Sequence, residues 1–111
     1  MHGMHLNEAA GRTAYLAGFH ASQALISERT GRAVKTHGGV KTEFHRLVRG
    51  DTRVDDQLRA FLGFAYDLKA IADYQAGPGS DVTPELAAEA IEMAKHFVAK
   101  IAELLLDPTS D

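Results

Sequence analysis

The chain has 111 residues, no cysteine and a net charge of −3. This is enough chain for one hydrophobic core, and it excludes disulfides, thiol chemistry and Cys-based zinc sites. With 45% hydrophobic and 24% charged residues and no apolar run of membrane-spanning length, the composition is that of a folded domain rather than a disordered or membrane segment.

The first residues, MHGMHLNEAAGR, hold no apolar core of a secretory signal. Residues 1–6 are expected to be disordered or a leftover of cloning, and the rest of 1–111 a single domain. A cytoplasmic location is expected, in keeping with the absent cysteine. Asn7 is a good N-cap residue, with Glu8 in the first turn. The helix it opens should run to about Arg29 and stop before Gly31. From Ala9 to Ile26 this segment is apolar on nearly every side, so it needs neighbours on every side and belongs at the centre of a bundle.

Residues 30–38 are predicted as a loop. A short helix follows over about 39–48, with Val40, Phe44 and Leu47 on one side. Gly50 and Asp51 mark a turn, and Thr52 with Asp55 has capping-box spacing. A third helix is predicted over about 54–74, where Leu58, Phe61, Leu62, Ala65, Leu68 and Ala72 recur at helical spacing. QAGPGSDV at 75–82 reads as a loop. Thr83 then caps a last helix, with Pro84 in its first position, running to about Leu106 before Pro108. No segment alternates as a half-buried strand does. The predicted fold is all-α: an antiparallel helical bundle of three long helices and one short one. Two long neighbours and a short one are too little cover for so apolar a first helix. A homodimer is expected to supply the rest.

Charge is unevenly spread. Between Arg29 and Arg53, seven cations (Arg29, Arg32, Lys35, Lys41, Arg46, Arg49, Arg53) face two anions (Glu43, Asp51), giving +5 and leaving −8 for the remainder. A basic block in an acidic chain points to a phosphate-bearing partner at the end of the bundle. The alternative is a solvated connection paired with acidic helices. Arg32, Lys35, His37 and Lys41 are the candidate RNA- or nucleotide-binding residues, with backbone amides at the start of the short helix. His37 is also a candidate cap of that helix. No His/Asp/Glu set has zinc-site spacing, and neither GxxxxGK[ST] nor GxGxxG is present, so no metal or cofactor is expected. His20 is expected to be a core histidine bonded to a neighbouring helix. Tyr15 and Tyr74 are expected in the core with their hydroxyls on polar partners, Asp73 beside a cation, and His45 and His96 isolated on the surface.

Four blocks resemble the small prokaryotic branch of the HEPN-domain family. AYLAGFHASQAL resembles its YYAxFHAAxALL helix, KTHGGVKTEF its THxGVxxxF block, LKAIADY its LRxxADY block, and PELAAEAIEMAKHFVAKIAELL its final helix. In order, these cover roughly residues 8–106. Members usually begin with a further long helix, whereas about a dozen residues precede AYLAGF here, so a short version, a fragment or a late start codon is expected. The resemblance implies a helical bundle that dimerises. It also implies a metal-independent ribonuclease of toxin–antitoxin type, partnered by a nucleotidyltransferase-like antitoxin. Active members carry an arginine followed a few residues later by a histidine near the end of the third long helix. Here that place reads Lys69-Ala-Ile-Ala-Asp73-Tyr74. Lysine lacks the planar guanidinium fork, and neither Asp73 nor Tyr74 shuttles protons near neutral pH at its ordinary pKa. Cleavage is therefore expected to be weak or absent. The weak catalytic candidates are His37, Arg32, Lys69, Asp73 and Tyr74, where Arg32 and His37 repeat the arginine–histidine spacing in the loop. The competing expectation is a non-catalytic protein-interaction module forming homo- or hetero-oligomers.

Overall fold

A computed structural model describes the backbone of residues 2–74 and 82–106, and the side chains of these from residue 9 onward except 72 and 74. The fold is an all-α bundle of four helices: α1 (His2–Thr30), α2 (His37–Val48), α3 (Asp56–Tyr74) and α4 (Pro84–Leu106). α1 is the central rod, packed against each of the other three. It begins at His2, so Asn7 is an interior position rather than a cap, and residues 2–6 share the helix.

Helix ends follow local chemistry. α1 stops where Gly31 turns into the left-handed region at φ 72°, its N–H donating to the Ser27 carbonyl at 2.8 Å. Thr36 caps α2, its Oγ1 accepting from the Gly39 N–H at 3.0 Å. The cap expected of His37 therefore falls one residue earlier, and His37 is free to turn its ring inward. α3 is capped by Asp55, whose Oδ1 accepts from the Leu58 N–H at 2.8 Å, so Thr52 does not open it. Thr83 caps α4 through the Leu86 N–H at 3.1 Å, as the sequence predicts. The predicted loop at 75–82 lies outside the described residues except for Val82, which is buried.

Segment 31–36 decides the topology. It runs back along α1, held by the Gln23 amide donating to the Val34 carbonyl at 2.9 Å. α2 therefore starts beside the middle of α1, and α3 is the helix antiparallel to the others. Gly11 abuts Leu68 and Gly18 abuts Phe61, so the numbering falls along α3 as it rises along α1. Arg59 closes the far end of α2, donating to the carbonyls of Val48 and Asp51 at 3.1 and 3.2 Å. His45 is not an isolated surface residue, because its Nε2 donates to the Arg59 carbonyl at 2.8 Å.

The core centres on three fully buried rings. Phe97 lies 5.2 Å from Phe44 and 4.9 Å from Phe61, centroid to centroid. Leu25, Ile26, Leu62 and Leu104 pack around them with no measurable exposure or nearly none. Gly18 lets α3 come this close: a Cβ there would lie 2.4 Å from Phe61 Cε2. The other helices leave one stripe of α1 exposed along its length: Ala9, Thr13, Leu16, His20, Ala24 and Ser27. Leu16 is its large apolar member, at 47% exposure. A shallow groove between α1 and α4 is floored by Ala14, Ala17, Ile91 and Ala94 and edged by Thr13 and by Val98, which is 39% exposed.

Candidate site around His37 and Tyr66

Three helices bring one set of side chains together. Arg12, Tyr15 and Phe19 share a face of α1, because steps of three and four residues stay on one side of a helix. Tyr66, Lys69 and Asp73 share a face of α3 by the same spacing. His37 enters between them from the first turn of α2.

His37 is the hub. Its ring stacks on Tyr66 at 3.9 Å between centroids and 18° between planes. Its Nδ1 lies 3.1 Å from the buried Tyr15 hydroxyl. Tyr15 meets Tyr66 edge-on at 5.7 Å. The Lys69 ammonium sits 6.0 Å from the Tyr15 ring centre and 5.9 Å from that of Tyr66. Lys41 lies one helical turn after His37, its Nζ beside Gly63. Burial lowers the His37 pKa below the ordinary histidine value. Lys41 and Lys69 lower it further, against an opposing pull from Asp67. The ring is thus neutral at neutral pH. The Tyr15 hydroxyl and Nδ1 share one hydrogen bond, which fixes the ring's orientation. Burial, and then Tyr66, raise the Tyr15 pKa, so the hydroxyl keeps its proton.

Asp73 lies one turn after Lys69 on α3. It accepts from Lys69 Nζ at 2.7 Å and from Arg12 Nε at 3.0 Å. These two bonds, Lys69 first, hold its carboxyl below the ordinary range. Asp73 therefore stays ionised and has no proton to give. It also neutralises part of the cationic face. The side chain of Tyr74 lies outside the described residues.

The basic block is mostly spent inside the molecule. Arg29 turns inward and donates to the Leu104 carbonyl at 3.4 Å. Arg32 and Arg46 both reach Glu43, at 3.4 and 2.7 Å, and Arg46 above all lowers the Glu43 pKa. Arg53 pairs with Asp51 at 2.9 Å. Lys35, Lys41 and Arg49 carry no ion pair among the described residues. At 100° per residue, Glu43 and His37 lie on opposite flanks of α2. The structure thus separates the proposed pair: Arg32 serves Glu43 while His37 serves Tyr15 and Tyr66. Arg29 and Arg53 stand at the bundle's end, where α1 and α4 finish and α3 begins, but His37 does not, because 31–36 returns it to the level of Tyr15.

Sequence reasoning finds His37, Lys41, Lys69 and Asp73 but misses Arg12 and Tyr66. Tyr66 carried a signal, being an aromatic residue off the apolar stripe of α3. His20 is exposed and bonds Gln23 of its own helix at 3.1 Å, not a neighbouring helix. No cluster of metal-ligating side chains occurs among the described residues, and no described helix is long and apolar enough to cross a membrane. Comparison with protein-family models, curated proteins and solved structures gives no match.

Proposed function

We propose that this is a cytoplasmic HEPN-type protein of a toxin–antitoxin pair, with a nucleotidyltransferase-like partner. In this reading it binds RNA or a nucleotide at the His37–Tyr66 face. The observation that carries the reading is the stacked His37–Tyr66 pair flanked by Lys41 and Lys69. Aromatic faces accept bases, and ammonium groups accept phosphate. A neutral imidazole adds a hydrogen-bonding group without a fixed charge. Binding rather than cleavage fits the remaining chemistry. Asp73, held ionised by Lys69 and Arg12, cannot act as a general acid.

The test is RNA binding by anisotropy across a salt series. Each lost phosphate contact should lower the salt slope by about 0.7 for single strands. Lys41→Ala and Lys69→Ala should each show that loss, Tyr66→Ala should weaken binding at every salt concentration, and Arg32→Ala should change little. Absence of binding at low salt overturns the reading.

A second reading has its own support. The groove between α1 and α4, lined by Ala14, Ala17, Ile91 and Val98, is apolar and exposed, which soluble surfaces tend to avoid. In this reading the chain is an interaction module that pairs with itself through that groove.

A further inference from the structure

A second concavity lies on the far side of Phe61, between α3 and α4. Its volume is about 590 Å³, within the range of small-ligand sites. Leu58 and Met93, both half-buried, form an apolar floor over the fully buried Phe61 ring.

The charges around this cleft are sorted by sign. Glu89 and Glu92 line it toward the start of α4, and Lys100 lines it toward the end. These positions span about 16 Å at 1.5 Å per residue. α3 is antiparallel to α4, so Arg53, just before α3, stands at the Lys100 end. Asp55 stands there too, but its Oδ1 is engaged as the α3 cap. Glu89 and His96 have no hydrogen bond or ion pair among the described residues. Glu92–Lys95 at 3.3 Å is a solvent-facing pair, which exchanges partners at little cost, and half-buried Lys100 meets the exposed Glu103 at 3.2 Å.

We propose that this cleft binds a short apolar peptide with free ends. The peptide ammonium sits at Glu89 and Glu92, its aliphatic side chains lie over Leu58 and Met93, and its carboxylate meets Lys100 beside Arg53. A single amino acid is too short to reach both ends. An extended chain rising about 3.3 Å per residue needs about four or five residues. The three carboxylates around the rim disfavour nucleic acid, so this site is independent of the His37 face.

The experiment titrates the peptide Ala-Leu-Leu-Ala into the full ¹⁵N-labelled chain. Amide shifts are expected at Leu58, Met93 and Lys100, with none at His37 or Tyr66. Acetylating the peptide amine, or amidating its carboxylate, should each weaken binding about threefold or more. Glu89→Gln with Glu92→Gln should erase the difference between free and acetylated peptide. Lys100→Met should erase the difference between free and amidated peptide. The peptide series alone keeps the test decisive if a variant fails to fold. Doubly blocked peptide binding as well as free peptide overturns the proposal. So do shifts at other residues, no binding at millimolar peptide, or equal shifts from an end-blocked amphipathic helix.

Discussion

His37 and Tyr15 are 22 positions apart in sequence, yet imidazole Nδ1 and phenol hydroxyl lie 3.1 Å apart. The contact exists because segment 31–36 returns α2 to the middle of α1. It places a neutral, oriented imidazole against the Tyr66 ring, between two lysines.

The pH dependence follows from that burial. The folded His37 pKa lies below its unfolded value of about 6.5. The unfolded chain therefore binds the proton more readily. The stability that neutral His37 contributes is fully present above about pH 6.5 and is lost as pH falls through the folded value. Urea melts of the wild-type chain should weaken over that window, and His37→Gln should flatten the loss. A phosphate at the site favours the imidazolium, so the His37 titration followed by NMR should move upward when RNA is added. An unmoved titration would count against phosphate contact there.

Asp73 restrains the site's charge. Replacing it with Asn frees Lys69 and Arg12 from their bonds of 2.7 and 3.0 Å and adds one net positive charge. Asp73→Asn should tighten RNA binding about threefold at low salt and lose that advantage at high salt, as screening requires. Anisotropy titrations at two salt concentrations check both halves. Weaker binding in this variant would mean that Asp73 orients the lysine rather than restraining it.

Gly18 reports on the core. A methyl group at this position meets Phe61, whose ring is fully buried against Phe97 and has no free direction. Alanine gains up to about 1 kcal/mol of helix propensity over glycine. Overpacking costs about 1–3 kcal/mol. Gly18→Ala should therefore be destabilised by about 1 kcal/mol or more in denaturant melts. Gly11→Ala is the control, since its nearest neighbour, Leu68 Cβ, would lie at 3.5 Å in ordinary contact. It should be neutral or slightly stabilised.

The parts of this molecule readable from sequence are those governed by local rules. The apolar period of α3, the Thr83–Pro84 start of α4 and the Gly31 stop need only neighbouring residues. The α2 and α3 starts show the limit: Thr36 and Asp55 cap where His37 and Thr52 were expected, because several polar residues compete within one turn. The site was half legible. Lys69 and Asp73 fall at helical spacing, but their link to Arg12 and the stacking of His37 on Tyr66 depend on the path of 31–36. Counting charges also misled, since Arg29, Arg32, Arg46 and Arg53 find their partners within the fold. Sequence summation cannot see such pairing.

The groove between α1 and α4 tests the self-association reading. Thr13 and Val98, the latter 39% exposed, stand on either side of a channel floored by Ala14, Ala17 and Ala94. A two-fold axis through that channel would set Val98 of each copy against the groove of the other, since a two-fold interface uses one surface twice. Small floor residues allow close approach, and Lys95, the charged group lining the channel among the described residues, is paired with Glu92 at 3.3 Å. Sedimentation of the wild-type chain at micromolar concentration should therefore give a dimer. Val98→Lys should give a folded monomer, because the ammonium reaches water only when the groove is uncovered. Its thermal melt should stay cooperative, since Val98 does not belong to the buried core. A wild-type monomer would remove this reading and leave the His37 face as the functional surface.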